Sequence, residues 1–522
     1  MKTRVCIVGA GASGMSCAYA LGKHPDKYQV TIFDKQPEAG GMATSIPIDA
    51  GRYGASYIND GVQGCSPAFA NTIKMFKLLG YECTKVGMQI SFGTGSNFWS
   101  NVFPSPLIRS FETDIAKFGR ALKTIKRLEP IFAFISIQRM LSLFRFSPSF
   151  GERMVLPLAA LFFGTGGQTP YVSSAILMRV FLDPSMRLFE FDDRSLLASI
   201  PTMFAFPRLG DVYGAWQREI EATGATFKLG YEVKNVTQRK DANKGGVVVE
   251  YVQGDGAELV SETFDELVMA TDADAALKIL GKSASWMERQ VLGSVKYLYD
   301  VTITHNDLDY MNKVHYETKF TEYLAAEPQP EHARDDQEAI ELGRKDFKPL
   351  YYTKQYEEDK RKIEMSFDLT HYQPQFKGVA STPGEKGLDH TPHDEKPMEQ
   401  HVFQTIFLDR DSENMWTWNE IREEKRIYEK WWKQQSHRWQ HYAKVVPWMM
   451  FINGKNHTHF AGAWSVLNMH ELAVTSGFAA AYRLGADFPF RGDDDCERLF
   501  KLYLALSHGV RARKEDRKGF FI

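Results

Sequence analysis

Arg4-Val-Cys-Ile-Val-Gly-Ala-Gly-Ala-Ser-Gly14 opens the chain, and Gln29-Val-Thr-Ile-Phe-Asp34 follows it. The first stretch reads as an apolar strand, a glycine turn and the start of a helix. The second reads as a strand ending on an acid, twenty residues past Gly14. Together they form a dinucleotide fingerprint with its strand, helix and acid at the expected distances. Gly9 permits the tight turn, Gly11 lets backbone approach a pyrophosphate, and Gly14 lets helix and strand pack closely. Ala12 and Ser13 stand at the helix N-terminus, where free N–H groups and the macrodipole favour an anion. Asp34 is placed to accept hydrogen bonds from ribose hydroxyls and disfavours a 2′-phosphate, so NADP is not expected here.

Beyond the acid the chain runs Lys35-Gln-Pro-Glu-Ala-Gly-Gly41, and the glycine pair brings backbone close to the ligand again. This pattern resembles the FAD-binding domain of the flavin-containing amine oxidase and phytoene desaturase superfamily. A second stretch, Phe460-Ala-Gly-Ala-Trp-Ser-Val-Leu-Asn-Met-His-Glu-Leu-Ala-Val-Thr-Ser-Gly477, resembles that superfamily's last flavin-binding motif. There a strand ends in glycine, the chain crosses the isoalloxazine, and a helix starts with its N-terminus aimed at the ring. Ala270-Thr-Asp-Ala-Asp-Ala-Ala-Leu277 and Ile303-Thr-His-Asn-Asp307 are similar to segments of amine oxidase-like proteins often associated with lipid-modifying enzymes.

The resemblance spans nearly the whole chain and implies bound FAD. It implies that Lys35, Gly40, Gly41, Met42, Ala43 and Thr44 follow the pyrophosphate and ribityl path. Val233 would read the adenine edge through its backbone, with Ala270 and Thr271 at the end of a central strand. Gly462, Ala463, Asn468, Met469, His470 and Ala473 would lie against the flavin. Two positions depart from the pattern: Met42 stands where amine oxidases often carry Arg, and Ala463 where many carry an acid. The C-terminal motif holds no cysteine, so the FAD is expected to be non-covalent.

A chain of 522 residues is too long for one compact core, and 43% hydrophobic residues suffice for several. Lys and Arg number 63 against 65 acids, which leaves no basic footprint for nucleic acid. Five scattered cysteines lack any CxxC or zinc spacing, so a thiol–disulfide reductase and a metal site are not expected and reduced, cytoplasmic thiols are. The N-terminus enters the first strand without a signal-peptide pattern, and no apolar run reaches the ~18 residues of a membrane span.

Strand–helix alternation recurs at 1–55, 205–275 and 445–490, which predicts an α/β fold: a discontinuous Rossmann-type FAD-binding domain interleaved with an α+β substrate domain at 56–204 and 276–444. Residues 491–522 read as a C-terminal helical tail. Thr226–Val236 reads as one strand. Residues 115–146 combine five Lys and Arg up to Arg127 with the greasy run Ile131–Ile137; they read as a wall of an apolar cavity, with peripheral membrane contact as the alternative. Met154–Phe163 reads as core, and 326–347 and 373–400 as polar surface loops.

The catalytic candidates are His470, a general acid/base or a satisfied histidine fixing the helix start, and Asn468, a flavin contact or a helix cap. Lys296, Tyr297, Tyr299 and the cluster Trp416, Trp418, Trp431, Trp432, Trp439 and Trp448 read as structural. No second complete fingerprint exists for a dedicated NAD(P)H domain. The expected function is an FAD-dependent oxidoreductase taking hydride from a lipid-, polyketide- or terpenoid-like substrate, with O2 or another electron acceptor downstream. A redox-neutral double-bond isomerase and a non-enzymatic FAD-stabilised binding protein remain as alternatives.

Overall fold

The computed structural model describes residues 1–197, 200–239, 246–254, 258–314, 333–378 and 396–512. Five parallel strands form the first sheet. In chain order they are β1 (Thr3–Val8), β2 (Tyr28–Asp34), β3 (Thr226–Leu229), β4 (Glu266–Met269) and β5 (Thr458–Phe460), arranged in space β3-β2-β1-β4-β5. Val5 and Ile7 bury into one core while Cys6 and Val8 bury into another, so β1 is apolar on both faces as a central parallel strand must be. Helix α1 (Ala12–Gly22) follows the glycine turn, and α2 (Leu209–Glu221) leads into β3.

The predicted strand at 226–236 is two strands. Gly230 turns with φ +76° between them, and Tyr231–Gln238 leaves for a three-stranded antiparallel sheet with Val247–Gln253 and Val260–Phe264. A seven-stranded mixed sheet occupies the other side of the molecule. Its order is Arg426–Gln435, Tyr297–His305, Phe403–Phe407, Ile363–Asp368, Tyr351–Gln355, Ile90–Phe92 and Trp99–Ser100. The mixed α/β architecture with a Rossmann-type sheet is the expected one.

Two helices close the chain: α3 (His470–Leu484) and α4 (Asp494–His508). Helix α3 lies directly on α1. A Cβ placed on Gly477 would stand 2.0 Å from the Ser13 carbonyl oxygen and 2.1 Å from Ser16 Oγ. Only glycine allows this approach. Asp493 caps α4, which buries Leu499, Phe500, Tyr503 and Leu504.

Three readings of the sequence are corrected. The run Ile131–Ile137 does not wall the cavity described below: Ile131 and Phe134 are exposed, Phe132 and Ile137 are buried in the core, and no residue of 115–146 is among the lining. In Met154–Phe163 the first part is core, but Leu161, Phe162 and Phe163 line the cavity. Part of the loop expected at 326–347 is a helix, Ala333–Asp346, which buries Ile340 against Phe98, Val102 and Phe103; 326–332 lie outside the described residues, as do 379–395 of the second loop.

Gly477→Val should cost about 2–3 kcal/mol, because bulk is forced between two packed helix backbones. Gly214→Ala, inside α2 with its nearest neighbour Arg218 Nη1 at 3.5 Å, should be neutral or stabilise by up to about 1 kcal/mol. Urea midpoints of the two variants test the contrast, and equal midpoints would contradict it.

Candidate functional site

One cavity of about 820 Å³ lies between the two sheets. Its first half is built by the glycine turn. Gly9 has φ +110°, and a Cβ there would stand 2.5 Å from the Ala270 carbonyl oxygen, so the turn abuts the end of β4. Gly14 sits behind the turn, where a Cβ would meet the Gly9 carbonyl at 1.8 Å. Gly11 by contrast faces open space; its nearest neighbour would be Gly41 Cα at 3.8 Å. Helix α1 starts at this point with no side-chain cap and no acid in its first turn. A bare helix N-terminus beside a side-chain-free turn has the character of an anion cradle.

The Gly40–Gly41 loop docks on that turn. Gly40 N–H donates to the Ala10 carbonyl at 3.0 Å, and Gly40 and Gly41 both have positive φ, +138° and +62°. Asp34 accepts from Ala10 N–H at 2.7 Å and from Gln36 N–H at 2.8 Å, one bond on each oxygen, which leaves each a second lone pair. From the far end of the chain, Gly462 N–H donates to Ser476 Oγ at 2.9 Å, and Ser476 Oγ lies 3.2 Å from Ser13 Oγ. These bonds join the C-terminal glycine motif to the first turn of α1.

Of the residues singled out from the sequence, Gly9, Gly11, Ala12, Ser13, Asp34, Lys35, Gly40, Gly41, Met42, Ala43, Val233, Ala270, Thr271, Gly462, Ala463, Asn468, Met469, His470 and Ala473 all line this cavity. Gly14 and Thr44 do not; Thr44 Oγ1 instead accepts from Lys430 Nζ at 3.2 Å. Asn468 does not cap α3, whose N-cap is Met469. Tyr297 lines the cavity and its hydroxyl accepts from Ala273 N–H at 2.7 Å, whereas Lys296 and Tyr299 are exposed. Trp432 also lines it, held by its Nε1–H to Thr302 Oγ1 at 3.0 Å, so this tryptophan departs from the purely structural reading.

Both ring nitrogens of His470 are engaged. Nε2 lies 2.8 Å from the Tyr213 hydroxyl and Nδ1 3.0 Å from Thr72 Oγ1, with Phe76 and Phe206 packed around the ring. Burial lowers its pKa from 6.5 to about 4, so the imidazole is neutral at ordinary pH. Its neighbour Glu471 is fully buried and accepts from Asn71 N–H, Asn71 Nδ2 and Thr72 N–H at 2.7–2.9 Å, tying α3 to the helix Ala70–Leu78.

Nothing in the local sequence singles out Asp300. It lines the cavity from the middle of Tyr297–His305, and its Oδ1 accepts from Asp409 N–H at 2.6 Å. Among the described residues its Oδ2 has no hydrogen-bond partner, and burial pushes its pKa up to about 7. A carboxyl that titrates near neutrality beside a cavity can give or take a proton. The rest of the lining is mixed: Phe69, Met88, Leu161, Phe163, Met203 and Ile406 are apolar, while Gln63, Thr302, Gln404, Gln434 and Gln435 are polar. Among the described residues, one grouping has the donor types of a metal site: Asp368, His371 and His401. It is closed by its own bonds, His401 Nδ1 lying 2.7 Å from Asp368 Oδ2 and Nε2 2.9 Å from the Lys396 carbonyl.

Residues 7–73 match the family described as the NAD(P)-binding Rossmann-like domain. Solved structures extend the likeness over the chain. A putrescine oxidase triple mutant is 14% identical with a TM-score of 0.57, covering 92% of this chain and 98% of its own. The fold is amine oxidase-like. Cyclohexylamine oxidase from Brevibacterium oxydans (14% identity, TM-score 0.52, coverage 93% and 100%) shares it. So does a CLA-producing fatty acid isomerase from P. acnes, at 13% identity and TM-score 0.52, covering 91% of this chain and 97% of its own. No curated protein matches the sequence.

The pH dependence of His470 follows from its surroundings. An unfolded chain takes up this proton below about pH 6.5 and the folded chain only near pH 4, so the contribution is whole above about pH 6.5 and is lost as pH falls toward 4. His470→Gln removes it. The stability of wild type relative to the variant should shrink by up to about 3 kcal/mol between about pH 7 and pH 4. Urea titrations at several pH values measure this; a pH-independent difference would contradict it.

Proposed function

We propose that the chain is a non-covalent FAD-dependent oxidoreductase that removes a hydride from an apolar substrate and leaves a C=C or C=N bond. One observation carries this reading: the N-terminal glycine turn, the Gly40–Gly41 loop and the start of α3 meet on one cavity that also holds an apolar cluster, Phe69, Met88, Leu161, Phe163, Met203 and Ile406. The residues present fit the cofactor. The bare N-terminus of α1 and side-chain-free Gly11 suit a pyrophosphate, the second lone pairs of Asp34 suit ribose hydroxyls, and Val233, which lines the same cavity, would meet the adenine. FAD, when bound, supplies the two-electron acceptor.

The protein's own part is positioning and polarity. The N-terminus of α3, at Met469 and His470, brings backbone partial positive charge to the cavity. His470 stays neutral between Tyr213 and Thr72 and fixes where that helix begins, so it acts as a positioning residue. Asp300 holds or takes a proton at Oδ2. Phe69, Met88 and Leu161 exclude water and favour a lipid-, polyketide- or terpenoid-like ligand over a small polar amine. Electrons taken from the substrate would pass on to O2 or another acceptor.

The reading predicts a yellow protein whose colour leaves with the supernatant on acid precipitation. Gly11→Leu should reduce flavin content at least about tenfold without unfolding, because it fills the space beside Gly41. Flavin absorbance per mole of protein measures both, and a colourless wild type would overturn the reading.

A second reading, redox-neutral isomerisation of a polyene or fatty acid, is favoured by the fold shared with the P. acnes isomerase and by the same apolar cluster. Anaerobic turnover without an acceptor separates the two. An oxidoreductase should stop after a single equivalent of product per flavin, whereas an isomerase should continue. A binding protein would change neither the substrate nor the flavin spectrum.

A further inference from the structure

We propose that the surface built by residues 123–145 docks on an anionic lipid bilayer. Leu128, Ile131, Phe134 and Leu143 are 45%, 57%, 49% and 50% exposed, four large apolar side chains within sixteen positions. They are held as a rigid group. Successive turns bond Ile131 N–H to the Leu128 carbonyl at 2.9 Å and Phe134 N–H to the Ile131 carbonyl at 3.2 Å. Buried Phe132 stacks on Phe144 at 5.8 Å, which brings Leu143 alongside. Exposed apolar side chains so grouped mark an interaction surface, since single ones are ordinary and clusters are not.

The charge around them names the occupant. Lys123, Lys126, Arg127, Arg139 and Arg145 are all exposed on these same helices and turns. Glu129 is the one acid between 115 and 151, and Arg179 pairs with it and with Asp183. An apolar crest with a basic rim matches the boundary of a negatively charged leaflet: the crest enters the acyl edge and the rim meets headgroup phosphates. A second copy of this chain fits less well, because two-fold pairing would set one basic rim against the other. Among the described residues no helix is long and apolar enough to cross a membrane, so the contact is interfacial. The sequence carried this signal, but periodicity cannot tell an apolar helix face turned into a cavity from one turned outward; burial decides it.

The test uses the full chain, sedimented with vesicles of phosphatidylcholine alone or mixed with phosphatidylserine, and reads binding, so it is independent of flavin loading and turnover. Wild type should pellet with the mixed vesicles and be released by added salt. Ile131→Asp and Phe134→Asp should each weaken binding about tenfold or more. Lys123→Glu, Arg127→Glu and Arg139→Glu should each weaken it about fivefold or more, with unchanged melting temperatures. Failure of wild type to pellet with either vesicle overturns the proposal, as does equal pelleting of all variants. Wild-type dimers that the Asp variants convert to monomers, without vesicle binding, would assign the surface to self-association and overturn it too.

Discussion

Backbone contact between the first helix and the penultimate one is the constraint on which the rest of the structure depends. Gly477 has no side chain, so α3 settles against Ser13, Ser16 and Cys17 at a distance any other residue would forbid. That approach lets Ser476 reach Ser13 and Gly462, and so brings a motif from the end of the chain onto a turn formed by its first residues. Without it the two halves of the cavity would not share a wall. Close-packed interiors transmit such a demand, since neither backbone has slack to give.

Polar groups around the cavity are handled unevenly, and the unevenness has chemical content. Glu471 is buried, yet three N–H donors hold it and its work is to join two helices. His470 has a partner on each nitrogen and is kept neutral by burial. Asp300 alone of these keeps an oxygen without a partner. Buried polar atoms are normally satisfied, so an unsatisfied carboxyl oxygen beside a cavity is the place where proton chemistry is cheapest to install. Apolar side chains elsewhere in the lining, Phe69, Met88 and Leu161 among them, raise the cost of charge there.

Much of this was legible along the chain. The fingerprint of Gly9, Gly11, Gly14 and Asp34 depends on local geometry, where a turn needs positive φ or backbone must approach a ligand, and local needs are written in local residues. The same holds for Gly40 and Gly41. Other features were not legible. Thr226–Val236 is continuously strand-like, and only the two sheets competing for it show that Gly230 divides it. The outward face of Ile131–Phe134 and the inward face of Leu161–Phe163 have the same composition, because a hydrophobic residue does not state which apolar surface it will meet.

The sequence by itself determined the Rossmann-type frame, the glycine turn at the start of the first helix and the acid that follows it, for each arises from residues within one strand–turn–helix unit. Tertiary structure alone decided that Asp300 stands at the cavity, that His470 lies between Tyr213 and Thr72, and that a greasy, basic surface is turned toward solvent. The first two join residues more than a hundred positions apart and the third depends on which side of a short stretch faces the core; in each, the partners that set a side chain's charge and exposure are chosen by packing rather than by neighbours along the chain.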